Sequence, residues 1–274
     1  MKIKRDTVVI LGSGYLARFM LSLTNSYPTV LHTSRDPENH LKRLPLTQRL
    51  RFDLTEAETW SNIPSDADLL WCFPASPLPA VQQFASRINR PSRRLVVLGS
   101  TSAYDIGVAH DHPPPWIDET APIDLAKPRV QGEEFLRDKC GAIVLRVAGI
   151  YGPGRHPYEW IKSGRVGLSD KYVNLIHVED LAAICLAALE HGVSGAVYNV
   201  SDGVPRTWRE IGRGLDGGQL VEPQTGEQRQ ALGKRINTTK LRAMLQEANF
   251  SMRHPDLFHA LKDLQQSQGG TQTE

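Results

Sequence analysis

At 274 residues, with 40% hydrophobic and 23% charged side chains, the chain can bury one substantial core with room for a smaller appended lobe, and its composition excludes a disordered protein. A net charge of +2, carried by scattered lysines and arginines, argues against nucleic acid as a partner. The longest apolar runs are of strand length, short of the ~20 residues that cross a bilayer, and "MKIKRDTVVILGSG" has charge without a cleavable apolar region, so no membrane partner and a cytoplasmic location are expected.

Taken in chain order, short β-branched runs at 7–12, 29–33, 49–52, 68–73, 94–99 and 142–147 read as strands, and amphipathic stretches at 15–26, 78–89 and 126–138 as the helices between them. Strand and helix alternate, and the strands are apolar almost throughout. That is the pattern of a doubly wound parallel sheet of the α/β class, covered on both faces. The polar tail "QQSQGGTQTE" is expected to fray. Cys72, Cys140 and Cys185 are far apart, which offers neither a disulfide framework nor a CxxC pair. His110 and His112 flank Asp111 in a proline-rich loop with no second ligand cluster, and no metal is expected there.

The first strand runs into "GSGYLA", a G-x-G-x-x-G/A fingerprint. Gly12 permits the tight turn, Gly14 lets the backbone approach a pyrophosphate, and Ala17 is small enough for close helix packing. The backbone of Gly12, Ser13, Gly14, Tyr15 and Leu16 is therefore the expected dinucleotide contact. At the end of the second strand, where an acid would hold the ribose hydroxyls of NAD, "HTSRDP" has Ser34 and Arg35. A hydroxyl and a cation suit a 2′-phosphate, which favours NADP over NAD; the competing reading has Arg35 solvated and Asp36 in the acid's role.

An ordered set of motifs then resembles the extended short-chain dehydrogenase/reductases, the epimerase/dehydratase-like superfamily, over nearly the whole chain. The set comprises "GSGYLA", "RFDL", "CFPAS", "GSTSAYD", "IDETAP", "GEEFLRD", "VLRVAGIYGPGRHP", "VNLIHVEDLAAICLAALE" and "AVYNVSDGVPRTWREI". The resemblance is nearest to a divergent bacterial subgroup. It implies a Rossmann domain over 1–150, to which 177–200 returns, and a small α+β substrate lobe from 151–176 and 201–274. It also implies that Asp53 and Leu54 contact adenine, that Phe73, Pro74 and Ala75 line the cofactor, and that homodimers are possible.

In that family a Ser, a Tyr and a Lys act together, the last two spaced Y-x-x-x-K so that both lie on one helix face. The Ser position falls on Ser100, but the Tyr and Lys positions hold Leu125 and Arg129, and no tyrosine occurs between Tyr104 and Tyr151. Leucine has no proton to give, and arginine does not deprotonate. Arg129 is left the tasks of holding ribose or phosphate. Tyr104 is the leading substitute donor, so Ser100, Tyr104 and Arg129 form the expected catalytic set. Tyr158 and Lys162 in "YEWIK" repeat the Tyr–Lys spacing beyond the sixth strand and read as a lid or substrate contact. Tyr151, Arg155, His156, Tyr158 and His177 are the expected substrate contacts; Arg146 and Arg155 would suit an anionic substrate. Gly149 stands where several sugar-nucleotide enzymes have Asn. The "HDHPPPWIDE" stretch, 110–119, reads as a rigid loop at the cleft mouth, with Trp116 facing substrate or packing. Two readings stay open: an NADP-dependent oxidoreductase or epimerase-like enzyme on a small carbonyl or sugar-type substrate with a non-standard donor, and a non-catalytic NADP-binding sensor, regulator or assembly factor.

Overall fold

The computed structural model describes residues 6–20, 27–88, 94–107, 111–216 and 232–269. Seven strands form the main sheet: β1 Thr7–Leu11, β2 Thr29–Ser34, β3 Arg49–Arg51, β4 Asp68–Trp71, β5 Leu95–Ser100, β6 Ile143–Val147 and β7 Val197–Val200. All pairings are parallel, in the order β7-β6-β5-β4-β1-β2-β3. The order reverses between β1 and β4. Ligand sites of open α/β sheets form at that switch, outside the carboxyl ends of the strands.

The helices are α1 Ala17–Met20, α2 Pro37–His40, α3 Leu78–Ile88, α4 Pro128–Cys140, α5 Pro157–Lys162, α6 Val178–His191, α7 Trp208–Asp216, α8 Thr239–Glu247 and α9 Leu257–Gly269. Of the stretch 15–26 expected to be helical, residues 21–26 lie outside the described residues, as does His110. Proline explains one shifted boundary. Pro128 has no N–H to donate and favours the first helical turn, so α4 begins there, and Gly141 ends it at φ +63°.

Successive side chains of each strand point to opposite faces, which divides the core in two. Val8 and Ile10 of β1 join Leu70, Val96, Leu98, Ile143 and Leu145 in a layer covered by α1, α6 and α8. On the other face Val9 and Leu11 join Leu69, Trp71, Leu95 and Val97 against α3 and Leu136 of α4. α3 is apolar along one stripe only, with Val81, Phe84, Ala85 and Ile88 buried at helical spacing, whereas α6 is buried almost all round. α4 approaches the 75–76 backbone so closely that a Cβ on Gly132 would stand 1.9 Å from the Ala75 carbonyl oxygen.

A third cluster joins Tyr151, Ile161 and Leu175 to Trp208, Ile211, Leu257, Ala260 and Leu261, so α5, α7 and α9 form a separate packing unit. α8, expected in the small lobe, packs elsewhere. Its Leu241, Met244 and Leu245 complete the layer over the main sheet, because its apolar stripe faces α6. The expected loop at 110–119 is also partly regular: Trp116–Ile117 pairs in parallel with Arg235–Ile236, and Arg235 lies over the Trp116 ring at 4.9 Å. Among the described residues no helix is long and apolar enough to cross a membrane.

Candidate functional site

A concavity of about 1060 Å³ opens at the switch point around the turn after β1. Gly12 has φ +84°, and a Cβ there would stand 2.7 Å from Phe73 Cδ1. Both facts require glycine. The turn is tied to β2: Gly12 N donates to Thr33 Oγ1 at 2.9 Å and Ser13 N to the Thr33 carbonyl at 3.0 Å. Gly14 is different. A Cβ on it would meet no protein atom within 4 Å, so the space beside its backbone opens into the cavity. His32 lines the same wall, with Ser13 Oγ 3.3 Å from its Nδ1; its buried Nε2 has no partner, and burial pulls its pKa down to about 4.

Farther along, Asp53 and Leu54, the residues expected to meet adenine, line the wall with Phe52 and Phe73. The Thr55 backbone and hydroxyl donate to Asp53 Oδ1 at 2.8 and 2.7 Å, which holds its carboxyl below the usual range. At the ribose end stand Ser34 and Arg35, followed by the 39–44 segment with Lys42 and Arg43. With Arg18 there are four cationic lining residues, against Asp53 as the one carboxylate among them. Asp36 is committed elsewhere: it caps α2, accepting from Asn39 N at 3.3 Å and Asn39 Nδ2 at 2.8 Å, and does not line the cavity. The open face at Gly14, the unpartnered His32 nitrogen and the cationic ribose end fit a phosphate-bearing dinucleotide.

Four of the expected cofactor contacts, Tyr15, Leu16, Pro74 and Ala75, do not line the cavity. Tyr15 turns its ring from the cavity, donating its hydroxyl to the Pro153 carbonyl at 2.9 Å beneath the Arg155 guanidinium at 4.1 Å. Leu16 is buried in the main core, Pro74 is exposed, and Ala75 is enclosed under α4. For Tyr15 and Leu16 this leaves the backbone contact expected of them. Conversely, Arg18, His32, Thr33, Lys42, Arg43, Cys72 and Ser76 line the cavity without having been read from the sequence. The basic run "HLKR" after α2 was the available signal for two of them.

The expected catalytic set does not converge. Ser100 caps the turn Thr101–Tyr104, its Oγ accepting from Ser102 N at 3.1 Å, which leaves its proton free. Tyr104 must be corrected. It is 5% exposed, its hydroxyl donates to Asn199 Oδ1 at 2.7 Å and accepts from Arg146 Nη1 at 3.0 Å, and burial raises its pKa. It is a packing residue. Arg129 is turned back along β5, donating from Nε to Glu133 Oε1 at 3.1 Å and from Nη2 to the Leu98 carbonyl at 3.4 Å, and it does not line the cavity. Glu133 is fully buried against Gly99, with its pKa raised by burial. Leu125, at the phenol's position, is 56% exposed. Sequence reasoning missed Lys127, whose ammonium donates to the Ser102 carbonyl at 2.6 Å and pairs with Asp105 at 3.3 Å.

Three expected substrate contacts also need correction, because packing encloses them. Tyr151 is fully buried in the third cluster. His156 caps α5 by accepting from Tyr158 N at 3.1 Å and ties its Nε2 to the Leu261 carbonyl at 3.2 Å. His177 caps α6. Arg146, at 2% exposure, is held by Tyr104 and Glu134. Arg155 stays exposed and Tyr158 partly so.

No protein-family model matches the chain. It is 30% identical over 130 residues to protein YeeZ of Escherichia coli K12, an alignment covering 45% of each, so it spans about half the length of the curated relatives it matches. Solved structures align over nearly the full length. WbmG of Bordetella bronchiseptica, in complex with NAD, gives a TM-score of 0.70 at 18% identity, over 98% of this chain and 96% of that one. A UDP-N-acetylglucosamine 4-epimerase from Methanobrevibacter ruminantium gives 0.72 at 14%, over 97% and 100%. A short-chain dehydrogenase/reductase superfamily protein from Agrobacterium tumefaciens with bound NAD gives 0.72 at 12%, over 96% and 97%. The seven-stranded parallel sheet, its switch-point cavity and these full-length superpositions give the chain the fold of the short-chain dehydrogenase/reductase superfamily, in its epimerase/dehydratase form.

Proposed function

We propose that the chain binds NADP at the switch-point cavity and acts as an atypical oxidoreductase or epimerase-like enzyme on a small carbonyl or sugar-type substrate. The observation carrying the cofactor choice is the ribose end, where Arg35, Lys42 and Arg43 line the cavity while the Asp36 carboxylate is held as a helix cap. An acid facing the ribose would repel a 2′-phosphate; cations attract it. Gly14 and the turn amides would hold the pyrophosphate, and Phe52, Leu54 and Phe73 the adenine. When bound, the nicotinamide would supply or accept hydride. Ser100, whose hydroxyl proton is free, would orient a substrate oxygen. The Lys127 ammonium, held against the same turn, takes the place of the missing phenol as the protonated group in this reading.

A second reading is supported by the same region: Tyr104 and His156 are buried and bonded, and Leu125 is exposed where the proton donor belongs. That arrangement suits a protein that binds NADP without turning it over. Titrating the chain with NADPH and NADH by nicotinamide fluorescence, then following absorbance against a carbonyl panel, separates the readings. Turnover lost in Ser100→Ala and Lys127→Met supports the enzyme. Tight NADPH binding with no turnover supports the binder, and NADH binding as tightly as NADPH rejects the cofactor assignment.

A further inference from the structure

Away from the cavity, His177, Glu179 and His254 each bring one potential ligand atom within 4.8 Å of the other two. We propose that these three side chains form a site for one divalent metal ion of the zinc class, which fastens the segment after α8 to the start of α6.

Two separate stretches of chain build the cluster, and the fold holds them together without any ion. Asp180, 1% exposed, accepts from the backbone N–H groups of Arg253 at 2.7 Å and His254 at 2.9 Å, which fixes where the His254 ring departs. That ring lies 3.7 Å from the His177 ring, centroid to centroid, with the planes tilted by 41°. Its Nε2 is 2.8 Å from Glu179 Oε2. A metal ion would replace the proton shared there.

His177 supplies the independent sign of a missing ligand. It is 2% exposed and its Nε2 has no hydrogen-bond partner, an arrangement that is costly for a buried polar atom. Its Nδ1 accepts the Glu179 N–H only over 3.3 Å. Either nitrogen can therefore turn to a cation with little lost. The Arg253 guanidinium, 3.5 Å from Glu179, is 71% exposed and can swing into solvent.

Two imidazoles and one carboxylate suit Zn²⁺ and Co²⁺, whereas Mg²⁺ and Ca²⁺ prefer oxygen ligands alone. Three protein ligands leave a coordination position open. The site is nevertheless placed to act as a clamp, because Glu179 and Asp180 begin α6 while His254 precedes α9 of the third cluster.

The test strips the full chain with EDTA, adds Zn²⁺ or Co²⁺, and counts bound metal by mass spectrometry after gel filtration. One equivalent is expected, with a rise in melting temperature and a visible Co²⁺ d–d band. Glu179→Gln and His254→Ala should each weaken binding roughly tenfold or more, while His259→Ala, at an exposed residue of α9, should not. Glu179→Gln alters a partly exposed side chain, so the proposal remains testable if His254→Ala fails to fold. Binding well below one equivalent, affinity unchanged in Glu179→Gln, or Mg²⁺ competing equally with Zn²⁺ would overturn it.

Discussion

Arg35→Ala tests the cofactor assignment most directly. Arg35 is exposed at the mouth of the cavity, with Lys42 and Arg43 beside it, so each cation acts on a phosphate through largely aqueous surroundings. At contact distance a unit pair is worth about 1 kcal/mol in water and about 4 at the higher effective coupling near a protein surface. A charge-assisted hydrogen bond at this exposure then contributes about 1 to 2 kcal/mol. Removing Arg35 should raise the NADPH dissociation constant about 5- to 30-fold, since 1.4 kcal/mol is about tenfold. NADH has no 2′-phosphate and should change by less than about twofold on the same reasoning. Fluorescence titration with both cofactors reads the ratio. Because the pairs are exposed, added salt should shrink the wild-type preference. Asp36→Asn, which alters a cap and not the cavity wall, should leave NADH binding nearly unchanged. Equal losses for the two cofactors in Arg35→Ala, or an NADH loss in Asp36→Asn as large as the Arg35 effect, would refute the placement of the 2′-phosphate.

Three further outcomes follow from the packing and titration of the fold. Gly132→Ala places a Cβ 1.9 Å from the Ala75 carbonyl oxygen, so α4 must shift, and urea denaturation should show a loss of about 2 to 4 kcal/mol. Tyr104→Phe leaves Asn199 and Arg146 each short of a buried partner, so it should cost about 1 to 3 kcal/mol of stability, while NADPH affinity stays within about twofold. His32 has its pKa lowered from 6.5 to about 4 by burial. The folded state therefore excludes a proton that the unfolded chain takes up: the stabilisation is complete above pH 6.5 and is lost as the pH falls through the folded pKa. Across that window His32 should account for about 3 kcal/mol of acid destabilisation, read as the difference in urea midpoints between wild type and His32→Gln at pH 7 and pH 4. A variant with the same slope as wild type would contradict the burial of that ring.

Local signals were sufficient for part of this molecule. Short, nearly continuous β-branched apolar runs gave the strands to within about two residues. The fingerprint "GSGYLA" gave the turn, because the left-handed φ of Gly12 and its close approach to Phe73 are backbone requirements that favour glycine. The absence of a phenol at residue 125 is equally a property of the sequence. Side-chain direction is not. Tyr104, His156, His177 and Arg146 are polar residues in the expected segments, yet packing buries them, and Tyr104, His156 and Arg146 form hydrogen bonds with chain far away. Tyr15 belongs to the fingerprint but reaches Pro153, 138 residues on.

The sequence by itself determined the parallel α/β class, the glycine turn and the lack of the usual proton donor, since each depends on residue type and spacing within a few positions. Only the tertiary structure decided that Asp36 is a helix cap, that Lys42 and Arg43 meet Arg35 around one cavity, and that His254 lies against His177 and Glu179. Those pairings join residues distant in sequence, and their energies depend on burial and distance, which spacing along the chain does not set.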